Sequence, residues 1–218
     1  MKHSKVVSIF LMVTAFAVSS CGKVLDGNTS DGVSLEQAAR EGDAGSGGGS
    51  SVCTTCKIFV TASGFTGSLG GVAGADAKCM SDANYPGHGT YKAMIVDGSS
   101  RVACTSANCS GGTSEHTDWV LHPTTSYTRV DGTQIGTTTS AGIFSFPLSA
   151  SISTVGNWTL TGLAATWTAN GSRCLNWTSG VHAQLGQAGF SDHTDSGTIA
   201  SATIFCDFAT AGLFCVEQ

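Results

Sequence analysis

Chemistry in this chain is concentrated in its sulfur. Nine cysteines occur in 218 residues: Cys21 stands alone, and Cys53, Cys56, Cys79, Cys104, Cys109, Cys174, Cys206 and Cys215 follow from residue 53 onward. An even set of thiols in an exported chain reads as a disulfide framework, because an oxidising compartment keeps thiols paired. "CTTC" at 53–56 has the spacing of a redox dithiol, but no thioredoxin-like strand and helix surround it, so a structural bridge is expected. With Cys104 and Cys109 the same pair has the donor count of a four-thiolate zinc site; the oxidising setting favours disulfides, and no metal is expected. His116, beside Glu115 and Asp118 in "SEHTDW", is the best placed histidine for a base or ligand, although such a cluster also describes a solvated loop. No Gly-x-Ser-x-Gly elbow is present to activate a serine, and no Gly-Lys-Ser/Thr follows the glycine run to hold a phosphate. The chain is expected not to be an enzyme, with no catalytic residue and no cofactor.

The lone Cys21 needs a different account. Lys2 and Lys5 give a basic start, Val6 to Val18 an apolar segment, and Ser19 and Ser20 the small residues before the thiol. That length suits a signal peptide; a membrane-spanning helix needs about 20 apolar residues. The ending "VSSC" resembles a bacterial lipobox, in which the cysteine is acylated, for example with palmitate, and the preceding peptide bond is cut. A plain secretory signal would leave the odd cysteine count unexplained. Residues 1–20 are thus expected to be a signal peptide. Residues 21–52, which end in "GSGGGSS", have the composition of a flexible tether. Within it Ser34 and Gln37 have capping-box spacing, but one or two turns of helix are marginal in water.

The eight remaining cysteines must be positioned by short elements. "KIFVTAS" has the β-branched and aromatic content of a strand. "VAGADAKCMSDAN" predicts a helix with Val72, Ala75, Cys79, Met80 and Ala83 at helical spacing, which turns Cys79 inward. "TYKAMIVDG" reads as a central strand, apolar on both faces: Ala93 and Ile95 on one, Met94 and Val96 on the other. "TDWVLHP", "SYTRVDGTQIG" with its "VDGT" hairpin signal, "AATWTANG", "TIFCDF" and "LFCVEQ" complete a series of short strands. One early helix, many short, mostly antiparallel strands and long glycine-rich loops predict an α+β domain over residues 53–218.

"KIFVTASGFTGSLGGVAGADAKCMSDA", "TYKAMIVDG…RVA", "YTRVDGTQIG", "TWTANGS…C-LNW" and the ending "C…LFCVEQ" together resemble the leptospiral endostatin-like lipoproteins over nearly all of residues 57–218. The resemblance implies a fold related to endostatin and to C-type lectin-like domains. It also implies nested bridges, Cys79 to Cys215 and Cys174 to Cys206. Cys104 with Cys109 and Cys53 with Cys56 then remain as local bridges, or cross-pair to pin the tether to a loop. The resemblance further implies a surface-exposed, adhesin-like lipoprotein of the outer membrane that binds host matrix proteins such as laminin and fibronectin, or complement regulators. Its rivals are a structural or environmental surface lipoprotein without host ligand, and a divergent carbohydrate-binding domain. The Glu-Pro-Asn or Gln-Pro-Asp and Trp-Asn-Asp triplets of a calcium-dependent lectin site are missing, and calcium binding by a loop stays open. The histidine cluster that holds zinc in endostatin has no counterpart at residues 53–60. Trp119, Trp158, Trp167 and Trp177 are expected in the core or anchoring loops.

Charge narrows the partners. Residues 53–218 carry six basic residues, Lys57, Lys78, Lys92, Arg101, Arg129 and Arg173, against ten acidic ones, a net of −4. Polyanions are repelled at long range, so nucleic acid is excluded and heparin binding is expected to be weak or absent. Recognition is expected on the loops Ser99–Thr125 and Gly171–Ser201.

Overall fold

A computed structural model describes residues 53–218; the signal segment, Cys21 and the tether lie outside the described residues. Eight strands form two sheets: β1 (Thr55–Val60), β2 (Tyr91–Ala93), β3 (Ser126–Thr128), β4 (Gln134–Thr137) and β8 (Phe214–Glu217) in one, β5 (Trp158–Leu160), β6 (Leu185–Phe190) and β7 (Ala202–Phe205) in the other. The first sheet has the order β2-β8-β1-β3-β4, and only the β1/β3 pair is parallel. The second is antiparallel throughout. With one regular helix, α1 (Gly71–Ser81), the domain is α+β.

The large sheet is buried on both faces because its strands have little polar alternation. Ile58, Phe214 and Val216 point into one apolar cluster with Tyr127, Ile135 and Trp167, while Phe59 and Cys215 point into a second with Ala75, Cys79 and Trp177. Residues 93–96 do the same: Ala93 and Ile95 join the second cluster, Met94 and Val96 the first. The expected two-faced burial holds, but not the central position. β2 is three residues long and lies at the sheet edge. Its free side is covered: the Asp76 carboxylate of α1 accepts from the Ala93 N–H at 2.8 Å, and Val96 continues by bonding to the Thr161 carbonyl at 2.8 Å.

α1 begins at two glycines in the left-handed region, Gly70 (φ 86°) and Gly71 (φ 74°), a conformation that disfavours side chains. Val72, Ala75 and Cys79 are its buried stripe; Met80 is 37 % exposed and Ala83 lies beyond the helix end in solvent, so the inward stripe is shorter than the spacing suggests. Asp82 stops the helix, its carboxylate accepting from the Ala62, Ser63 and Asn84 N–H groups.

"TDWVLHP" and "AATWTANG" form no strand ladder. Each makes an isolated bridge or two, Val102 with Thr117, Leu163 with Ala169 and Cys104 with Thr168. In their place β5 and β6 join β7 in the small sheet. β6 reads "LGQAGF", whose glycines hide its strand character yet are needed: a Cβ on Gly189 would meet the Thr198 carbonyl oxygen at 1.8 Å.

All eight cysteines are bridged. Cys79 of α1 joins Cys215 of β8 (Cα–Cα 5.5 Å), and Cys174 joins Cys206 (5.6 Å), the two nested pairs implied by the resemblance. Cys53 joins Cys56 and Cys104 joins Cys109, which resolves the alternative in favour of local bridges.

Candidate binding surface

Four bridges and two sheets hold a large share of irregular chain, and the two loops expected to carry recognition differ in how they are fixed. Ser99–Thr125 is pinned by charge. The Arg101 side chain is fully buried; its guanidinium grips both Asp76 oxygens at 2.8 Å and Asp118 at 2.5 and 3.0 Å, and donates to the Ala93 carbonyl at 2.8 Å. Burial works against the guanidinium's charge, but the bonds and charges of the two aspartates outweigh it and raise its pKa. Lys92 takes the other Asp118 oxygen at 2.5 Å. This cluster escaped the sequence reading. Its signal was Asp76, a carboxylate placed in the inward stripe of α1 beside Ala75.

The "SEHTDW" residues do not converge. Glu115 turns back to accept from the Thr105, Ser106 and Gly111 N–H groups at 2.6–2.7 Å and from the Ser106 and Thr105 hydroxyls. Hydrogen bonds led by the Ser106 hydroxyl bring its pKa down to about 2. Asp118 belongs to Arg101. His116 leans on Trp119 and on the Cys109 sulfur, and burial lowers its pKa. A carboxylate that caps a loop, another that neutralises a cation and an imidazole kept neutral do not make a base with its orienting partner. Among the described residues no group of His, Cys, Asp or Glu is arranged to hold a metal ion.

Gly171–Ser201 is held by covalent and aromatic anchors. Residues Cys174–Trp177 form one left-handed turn, with φ of 47°, 52°, 55° and 65°. Such a turn costs about 1–2 kcal/mol per residue. It is held at both ends: Cys174 is bonded to Cys206, and the buried Trp177 indole donates to the Val96 carbonyl at 2.8 Å. The chain leaving it exposes apolar side chains. Val181 is 60 % exposed, Leu185 40 %, Phe205 50 % and Phe208 39 %. Leu185 and Phe205 are cross-strand partners on β6 and β7, the His182 ring stacks on Phe205 at 4.1 Å, and the Phe208 N–H bonds to the Phe205 carbonyl. Asp207 fixes the imidazole of His182 at 3.0 Å. Clustered apolar groups on a surface mark sites of association. The loop Gly171–Ser201 contains Val181 and Leu185; Phe205 and Phe208 fall in "TIFCDF", expected as a short strand, of which Ala202–Phe205 pairs and Phe208 lies beyond the strand end.

Trp167 and Trp177 are core residues; Trp158 and Trp119 are half-buried, Trp119 donating to the Gly142 carbonyl. The cations are dispersed and engaged: Lys78 lies over the Phe65 ring at 4.9 Å, Arg129 bonds to Ser151, and Arg173 bonds to the Asn170 carbonyl.

Fold and surface together define a disulfide-stapled α+β domain with exposed apolar side chains on β6, β7 and the chain flanking them. Within that class, the chain belongs to the family described as "protein of unknown function (DUF1554)", whose members match it over residues 62–194. The match begins after β1 and ends before β7, so it omits strands that complete both sheets, both cysteines of the Cys53–Cys56 bridge and one partner each of the two nested bridges. No curated protein matches the chain.

Proposed function

We propose that this protein is a binding module displayed on a bacterial surface, anchored in the outer membrane through lipid on Cys21, with a host protein as its ligand. The observation that carries the reading is the patch of Val181, Leu185, Phe205 and Phe208, set on a rigid frame in a surface otherwise rich in Ser, Thr, Asn and Gly. An exposed phenylalanine pair beside an aliphatic pair favours desolvated protein contacts over contacts with a charged glycan. Matrix proteins of the laminin and fibronectin kind, or complement regulators, are the partners the family resemblance suggests. The finer fold reading, an endostatin-like or C-type lectin-like domain, is supported by the antiparallel pairing of the first and last strands and by the nested bridges. The test is a biosensor titration of the full chain in detergent micelles against laminin, fibronectin and a complement regulator. Saturable binding lowered at least tenfold by Phe205→Ser supports the reading; the absence of saturable binding to all three moves the protein to the structural or environmental class. For the anchor, Cys21→Ala is expected to shift the protein from the detergent phase to the aqueous phase; partitioning that survives the substitution rejects lipidation.

A further inference from the structure

A cleft of about 460 Å³ lies between the loop that follows β4, the turn closed by Cys104–Cys109 and the segment that carries Trp167. It shares no residue with the apolar patch. Its walls are tied down by the backbone. In the loop, the Thr139 N–H bonds to the Ile143 carbonyl at 2.8 Å and the Gly142 N–H to the Thr139 carbonyl at 3.0 Å, while the Trp119 indole holds the Gly142 carbonyl. The Asn108 N–H bonds to the Thr166 carbonyl at 2.8 Å, which joins the bridged turn to the Trp167 segment. Two lining residues stand in the left-handed region although neither is glycine, Asn108 with φ 54° and Trp167 with φ 67°. For a side chain as bulky as tryptophan this is an outlier, and such strain collects at binding sites.

The lining has three properties. It is aromatic: Trp167 and Phe144 are buried, and the half-buried Phe146 ring stacks on Trp167 with centroids 5.7 Å and planes 5° apart. It is polar without charge: Ser140, Ser145 and Asn108 are exposed, and their hydroxyls and side-chain amide bond to no group of the described chain. None of the described residues that line it is ionisable at neutral pH. Finally, it contains an unused donor. The indoles of Trp119 and Trp177 donate to the carbonyls of Gly142 and Val96, whereas that of Trp167, a residue 1 % exposed, has no acceptor among the described residues. Its nitrogen is also absent from the side-chain groups that the fold seals off without a partner. A donor held unpaired in an apolar wall is costly, and an acceptor supplied by a ligand removes the cost.

We propose that this cleft is a calcium-independent site for an uncharged saccharide unit. A pyranose ring combines an apolar C–H face with a rim of hydroxyls that both donate and accept. The exposed part of Phe146 meets the first; Ser140, Ser145, Asn108 and the Trp167 indole meet the second. An acyl chain would leave these polar groups unpaired, and an anionic sugar would find no cation. The volume suits one or two sugar rings, at the small end of ligand sites. The site goes beyond the host-protein reading and does not rest on it.

The test is a glycan array of neutral, sialylated and sulfated sugars probed with the full chain in a detergent that has no sugar headgroup. Titrations with glucose, galactose, mannose and N-acetylglucosamine follow, read by the indole N–H signals. Ser145→Trp fills the cleft, and Asn108→Gly removes the amide at a position whose φ glycine adopts freely; both residues are exposed, and an unchanged melting curve certifies each fold. The expected result is saturable binding to neutral glycans with a shift of one indole N–H in the parent protein. Affinity should fall at least tenfold in Ser145→Trp and at least threefold in Asn108→Gly, and stay unchanged with EDTA and in Phe205→Ser. Absence of neutral-glycan binding, preference for the anionic sugars, dependence on calcium, parental affinity in either cleft variant or sensitivity to Phe205→Ser overturns the proposal. The host-protein titration of the patch is unaffected by Ser145→Trp, so the two readings fail separately.

Discussion

At the scale of single residues, the interior is most exposed to failure at Arg101. A buried guanidinium between Asp76 and Asp118 is stable while both partners remain, and removing one leaves charge in a site that water does not reach. Asp76→Asn is expected to cost about 3–5 kcal/mol, since the same carboxylate also covers the edge of β2 at Ala93. Urea unfolding of the variant measures this, and a loss under 1 kcal/mol would show that Asp118 alone suffices to neutralise Arg101. Two histidines set the response to pH. Burial lowers the pKa of His116 and His122, with the charge of Lys92 adding to the effect at His122. The folded state holds both neutral, whereas the unfolded chain protonates them near the ordinary value of about 6.5. The unfolded state then binds more protons, so stability is full above about pH 7 and declines as the pH falls through 6.5 toward the lower folded values. Unfolding free energies at pH 8, 7, 6 and 5 should trace this decline, and the double variant His116→Gln, His122→Gln should flatten it.

At the scale of elements, the bridges rank by the chain they close. Cys79–Cys215 spans 136 positions and Cys174–Cys206 spans 32, against 3 and 5 for the local pairs. The entropy of loop closure predicts losses of about 5, 3–4 and 2 kcal/mol for the outer, inner and local bridges. Paired Cys→Ser variants followed by thermal unfolding should reproduce that order; an inner loss exceeding the outer would show that the strained turn at 174–177 depends on its bond more than on loop entropy. What the sequence revealed follows the same division. β1, α1, β7 and β8 were legible because apolar residues recur there at strand or helix period. The hairpin of β3 and β4 was legible through "VDGT". β6 was not, because Gly186 and Gly189 occupy positions where Cys174 and Thr198 press against the backbone, and close approach removes the side chains that announce a strand. "TDWVLHP" and "AATWTANG" carry aromatic and β-branched residues for a different purpose, filling the core from loops around Trp119 and Trp167. The apolar patch was half legible: composition pointed to the loop, but Phe205 belongs to an edge strand whose exposed face no local pattern separates from its buried one.

At the scale of the molecule, charge and its placement decide what is repelled. Within residues 53–218 six basic residues face ten acidic ones, and Arg101 is buried inside the fold. Heparin is therefore expected to bind weakly at low salt and not at all near 0.15 M, where the Debye length is about 8 Å and scattered cations act singly. A biosensor salt series decides this; tight binding that falls steeply with salt would reveal a basic surface beyond the described residues. Binding through the patch should instead persist as salt rises.

The neighbourhood of β1 and β8 has a consequence in time. The first strand of the domain takes its place in the large sheet beside residues 214–216, and α1 is locked by a bond to residue 215, so the sheet cannot close until those residues are in place. Contacts of such long sequence separation form late and slowly. A chain that has not yet reached residue 215 lacks both the strand that pairs with β1 and the bond that fixes α1, so it stays open however much of the rest has formed. A chain ending at residue 213 is expected to lack a cooperative melting transition however long it is left to fold, because residues 214–217 are the latch that closes the sheet.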